Sequence, residues 1–298
     1  MVKLKAEKQD TSMEIFNLYV TNQPNVGDNN CSPLLYFKFP FDINIVNILD
    51  LRKKFDEDFY FKKYPDVAKA VYLGQFKSGY DHYVRHGNVE KRLFRFFPEN
   101  STFIIGGGGV MHFKELELLA KNKGSSRLIS WGIGHNTHDS SKVSWPEYMY
   151  LFDLHGIRDW GNPWSWVPCA SCMSPLFDLS YETKFDIVVY EHGDMPLSVG
   201  KFPKMSNFHN SFSKVVSFLG SGDVVVTNTY HGAYWATLLN KKVFVINPFS
   251  TRFLGFRHMP LLSNDLNDVD NARSYPMALA ECREANLKHY DKVLSYLV

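Results

Sequence analysis

The chain has 298 residues, 45% hydrophobic and 21% charged, with 33 Lys and Arg against 31 Asp and Glu. A chain of that length buries roughly 75% of the surface it exposes unfolded, so it needs neither disulfides nor a metal to fold. A formal net charge of +2 is too balanced for a protein whose main partner is a nucleic-acid backbone.

The opening residues carry no long apolar stretch of the secretory-signal kind, and no apolar run approaches the ~20 residues of a membrane span, so a soluble cytoplasmic protein is expected. Residues 15–20 read as a buried strand. Asn25-Val26-Gly27-Asp28 follows in a turn-rich stretch ending in helix-capping residues. Strand, glycine turn and helix start is how a doubly wound α/β domain opens. Residues 53–97 read as a helical insert. Pro65 suits the first turn of a helix over 66–73 stopped by Gly74. Ser78 with Asp81 makes a capping pattern for a second helix through His86, stopped by Gly87.

Alternation then resumes. Residues 101–105 read as a strand, 106–109 as a tight glycine loop and 111–121 as a helix. Residues 127–131 read as a strand whose exit carries Gly134-His135-Asn136. Periodicity does not decide between strand and helix for 148–154, and 157–159, with Arg158-Asp159, reads as a short strand and its exit. A Pro- and Trp-rich connection over 160–175 leads into a second alternating block. Its strands are expected at 185–190, 224–227 and 243–246, and its helices at 212–219 and 230–239. A terminal helix from Tyr275 is expected to cross the junction. The domains are therefore placed at 1–165 and 166–298. Cys169 and Cys172 form a lone CxxC between Pro168 and Pro175, with no second pair or nearby histidines to make a zinc site. They read as structural, and no metal is expected.

The strongest local signal is the apolar run 224–226 followed by Thr227-Asn228-Thr229-Tyr230-His231-Gly232 and a helix too apolar to face water. A helix start at a strand exit points unpaired backbone N–H groups, with the helix dipole behind them, at a bound phosphate or carboxylate. His231 in its first turn is the candidate catalytic group, because an imidazole transfers protons near neutral pH. Gly107 and Gly108 let backbone approach a ligand closely. Asn25, Gly27, Asp28, His135, Asn136, Arg158 and Arg252 complete the candidate binding set with Thr227, Asn228, Thr229, Tyr230 and Gly232. Four such strand exits in two blocks imply a cleft between domains. The 15% aromatic content serves a large-ring core and offers rings for stacking on sugar faces.

These stretches, in this order, resemble the polysaccharide pyruvyltransferase family over residues 15–248 outside the insert. The resemblance implies two Rossmann-like domains in the GT-B arrangement and transfer of a pyruvyl group from phosphoenolpyruvate to sugar hydroxyls of a surface glycan, forming a ketal. It implies no cofactor, phosphoenolpyruvate being the donor substrate, and gives His231 a catalytic role. The family pattern has Arg two residues before that histidine; this chain has Thr229. Arg158, Arg252 and Arg257 are the candidates to supply the missing charge. A glycosyltransferase using a nucleotide sugar and a non-catalytic sugar-binding protein are the alternatives. The insert, over 55–92, resembles a short module attached to bacterial glycan-processing proteins, with a docking or packing role.

Overall fold

The computed structural model describes residues 14–138 and 143–298; most of the opening segment searched for a targeting signal lies outside them. Among the described residues, nine strands form two fully parallel sheets, as expected of a Rossmann-like α/β chain. The first contains β1 (Ile15–Tyr19), β2 (Ile43–Asn47), β3 (Thr102–Gly108) and β4 (Arg127–Ile133), in the order β2-β1-β3-β4. The second contains β5 (Phe185–Glu191), β6 (Lys204–Ser206), β7 (Gly222–Thr227), β8 (Lys242–Val245) and β9 (Leu261–Leu262), in the order β6-β5-β7-β8-β9. The two orders follow one scheme. In each, the chain turns to one side after its first strand and then crosses back, leaving a topological switch point between β1 and β3 and between β5 and β7.

The helices are α1 (Val26–Asn29), α2 (Glu57–Lys63), α3 (Pro65–Tyr72), α4 (Gly79–His82), α5 (Lys114–Lys121), α6 (Phe212–Gly220), α7 (Tyr230–Leu238) and α8 (Ala278–Leu297). All nine residues of α7 are buried, in keeping with its apolar sequence. Thr229 caps it, its Oγ1 accepting from Gly232 N at 2.9 Å. Helix α8 ties the halves together. Cys282 packs in the core around α7, whereas Val293 and Leu297 pack around Trp131 of the first sheet. Trp131 Nε1 donates to Asn286 Oδ1 at 2.8 Å, and Asn286 Nδ2 donates to Pro168 O at 3.2 Å.

Several expected bounds move. Strand β3 runs on through Gly106, Gly107 and Gly108, which the sequence reading assigned to a loop. Helix α5 starts at Lys114 rather than 111, and residues 147–151 form a 3-10 turn. In the insert, the second helix stops at His82 and continues as a π turn over Tyr83–Gly87. Glu57 holds that segment down, accepting from Gly79 N at 2.7 Å and Tyr80 N at 3.2 Å. Strands β2, β6 and β9 have no counterpart in the sequence reading.

Candidate functional site

The carboxyl edges of the two sheets face one another across a cleft of about 270 Å³. Backbone pairing closes one side of it: Val26 N donates to Asn207 O at 3.0 Å, and His209 N donates to Pro24 O at 3.1 Å. On another side Thr251 N donates to Thr137 O at 2.9 Å. Both switch points open into this cleft. Asn25, Asp28, Gly108 and Gly109 enter from the first, His192, Thr229, Tyr230 and His231 from the second, and Asn136, Arg158 and Arg252 complete the polar wall.

Glycine is required at two places here. A Cβ on Gly27 would stand 2.1 Å from His231 Nδ1, and one on Gly107, whose φ is +72°, would stand 2.3 Å from Cys31 Cβ. Gly27 thus lets the turn after β1 lie on the imidazole, and Gly107 lets β3 pass over Cys31.

Two guanidiniums supply the charge. Arg158 is 3% exposed, donates from Nη2 to His135 O at 3.1 Å, and lies 3.9 Å over the Tyr230 ring. Its Nε is buried with no hydrogen-bond partner among the described residues. Arg252 reaches Asn136 Oδ1 from Nε at 3.0 Å and from Nη2 at 2.6 Å. Burial and then the charge of Arg158 pull its pKa down to about 10. Two cations lining one cleft favour an anion between them.

The acid and the imidazole shift in opposite directions. Burial pushes the Asp28 carboxyl up to about 6, against the pull of Arg252 and Arg158 and a hydrogen bond from Asn25. His231 is pulled down to about 3, by burial first and then by the two arginines, so it is neutral at physiological pH. Behind the wall, His135 Nδ1 and His112 Nε2 are 2.8 Å apart, and His135 N donates to Asp159 Oδ2 at 2.7 Å. Burial, His112 and Arg158 lower His135 to about 4, and burial raises Asp159 to about 6.

Of the residues singled out from sequence, Asn25, Asp28, Gly108, Asn136, Arg158, Thr229, Tyr230, His231 and Arg252 line the cleft together. Gly27, Gly107, His135, Thr227, Asn228 and Gly232 stand behind it. Asn228 is a strap: its Oδ1 accepts from His192 N at 2.8 Å and its Nδ2 donates to Met195 O at 2.8 Å. Arg257 is engaged elsewhere, stacked on Trp160 and Trp166 and paired with Glu281 at 3.0 Å. The sequence reading missed Gln23, His192 and Asn207, which also line the cleft. His192 had a usable signal, since it follows β5 directly at a strand exit.

The four cysteines are buried free thiols. Among the described residues, no three His, Cys, Asp or Glu side chains are grouped as a metal site requires, and no helix is long and apolar enough to cross a membrane. No protein-family model matches the chain, and a search of curated proteins finds no match.

Proposed function

We propose that the chain is a transferase of GT-B-like arrangement that moves a pyruvyl group from phosphoenolpyruvate onto two hydroxyls of a glycan sugar. The observation that carries this reading is the meeting of Arg158 and Arg252 with a carboxyl raised to about 6 where both sheets present their carboxyl edges. A small polyanion with a phosphate and a carboxylate suits paired guanidiniums, which offer bidentate donors to both groups. They supply the charge that Thr229 does not.

In this reading the proton carrier is Asp28. Its protonated form gives the proton to the methylene carbon of phosphoenolpyruvate, and the resulting cationic centre accepts the first sugar hydroxyl. The freed carboxylate takes back that hydroxyl's proton. Phosphate then leaves with the proton of the second hydroxyl, which adds to complete the ketal. His231 stays neutral and hydrogen-bonds charge that develops on the donor. This moves the proton-transfer task expected of His231 onto the carboxyl, whose pKa is nearer neutrality.

The second reading, glycosyl transfer from a nucleotide sugar, draws support from Thr229, a helix cap where the pyruvyl-transfer pattern has a guanidinium. Thermal stabilisation separates the two. A ligand at ~100 times its Kd adds about 2.7 kcal/mol. A rise in Tm with phosphoenolpyruvate, absent with nucleotides and nucleotide sugars, is the expected result. A rise with one nucleotide family alone would overturn it.

A further inference from the structure

The imidazole of His231 ends a chain of buried polar groups that begins at an indole. Trp235 Nε1 lies 3.0 Å from Ser171 Oγ, Ser171 Oγ lies 3.2 Å from Cys169 Sγ, and Cys169 Sγ lies 3.6 Å from His231 Nε2. Trp235, Ser171 and Cys169 are 0% exposed, and His231 is 8% exposed. Hydrogen-bond capacity gives the chain a direction. An indole N–H only donates, so Ser171 Oγ accepts from Trp235. The Ser171 hydroxyl proton then has one acceptor within reach among the described residues, Cys169 Sγ. With its sulfur accepting from Ser171, the thiol turns its own proton to His231 Nε2. Every donor from the indole to the thiol is then satisfied, as buried polar groups require, and the imidazole N–H is left on the nitrogen that faces the cleft turn.

We propose that Cys169 is a positioning residue: the relay Trp235–Ser171–Cys169 fixes neutral His231 as the tautomer with its proton on Nδ1. That nitrogen lies on the ring edge against Gly27, between Asn25 and Asp28 in sequence, and has no hydrogen-bond partner among the described residues. The ring is steadied from both sides. Trp235 packs 4.9 Å from it one helical turn along α7, and the Cys169 carbonyl is held by Tyr234 OH at 2.9 Å. Burial raises the Cys169 thiol above its usual range, so the proton stays on sulfur. The bearing of this relay on catalysis rests on the pyruvyl-transfer reading, in which His231 must donate rather than accept; the tautomer itself does not.

The test is the imidazole ¹⁵N spectrum of the full chain labelled with ¹⁵N-histidine, His231 being assigned by the resonances lost in His231→Gln. Protonated and bare ring nitrogens resonate far apart, so each tautomer has its own signature. The expected spectrum has His231 Nδ1 protonated and Nε2 bare, unchanged between pH 6 and 8. Cys169→Ala mixes the tautomers, and Cys169→Ser, which keeps a donor at that position, restores the single form. A wild-type His231 protonated on Nε2 overturns the relay, and this needs no variant to fold. An undiminished Nδ1–H form in Cys169→Ala overturns it as well. Absence of pyruvyl transfer alongside a pure Nδ1–H form would sink the functional reading and leave the relay standing.

Discussion

Gly27 lies against the imidazole of His231, so close that a Cβ on residue 27 would stand 2.1 Å from Nδ1 and 2.7 Å from Cγ. The turn after β1 and the first turn of α7 thus meet at this contact. Any side chain at 27 must push the ring or the turn away. Gly27→Ala is expected to lower kcat about a hundredfold, the scale of a 1 Å misplacement of a reacting group. Stability falls by about 1–3 kcal/mol, as for other overpacked sites. Steady-state kinetics beside a denaturation curve checks this. Full activity in a folded Gly27→Ala protein would remove His231 from the chemistry.

The pH dependence should report Asp28, not His231. A carboxyl that must be protonated to act loses activity as pH rises through its pKa, here about 6. The expected profile of kcat/KM therefore falls about tenfold per unit above pH 6. His231, near 3, titrates well below this range. Bound phosphoenolpyruvate adds negative charge beside the carboxyl, so the limb in kcat lies at higher pH than the limb in kcat/KM. Asp28→Asn should flatten the profile at a much lower rate. A wild-type profile that rises through pH 6 to 7 would hand the role to a base.

Charge pairing gives a third expectation. Arg252 is anchored by Asn136 and Ser250, the latter accepting from Nε at 2.7 Å, and it repels Arg158 across the cleft. Arg252→Met relieves that repulsion and removes an anion partner. The free protein should be no less stable, whereas stabilisation by phosphoenolpyruvate should weaken. A charge-assisted hydrogen bond contributes about 1.5–3 kcal/mol, so the Kd should rise about ten- to a hundredfold. Titration of the thermal shift against ligand concentration reads both quantities. An unchanged Kd would place the anion elsewhere.

What the sequence revealed depended on how strongly each element is patterned. The β7–α7 block was legible because an apolar strand, a polar exit and a fully apolar helix follow one another without interruption. Strand β2 was not: its residues run intermediate, exposed, exposed, buried and intermediate, so INIVN shows neither clean alternation nor a buried run. Strands β6 and β9 have three and two residues, too few for any period to show. The glycines of β3 read as a loop because glycine signals a break, yet Gly107 and Gly108 extend the strand at positive φ. Within the site, motif residues that line the cleft could not be told from those that brace it. Asn228 and Thr229 are adjacent, but one ties down the β5 exit and the other caps α7 beside the cleft. Only the direction of each side chain separates them.

Stability should fall on the acid side of neutrality, with His289 a main contributor. This residue is 1% exposed, packs edge-on 4.8 Å from Trp131, and bonds Ser130 O through Nε2 at 2.9 Å, while Nδ1 has no partner among the described residues. Burial, outweighing that bond, lowers its pKa to about 4. The folded state thus holds His289 neutral where the unfolded chain would protonate it. Its contribution is complete above the ordinary imidazole pKa of about 6.5 and is lost as pH falls toward 4, by at most about 3 kcal/mol. His135 and His231, at about 4 and about 3, act with the same sign. Asp28 and Asp159, both raised to about 6, act oppositely: what they contribute below the usual carboxylate pKa is lost as pH rises through 6. Three imidazoles oppose two carboxyls over this range, so the net slope of stability against pH is positive between 4 and 6.5. His289→Gln keeps a donor for Ser130 O and removes the titration. Urea denaturation at pH 7 and pH 5 should therefore show a smaller acid loss in the variant than in the wild type. Equal losses would mean that His289 is already solvated in the native state.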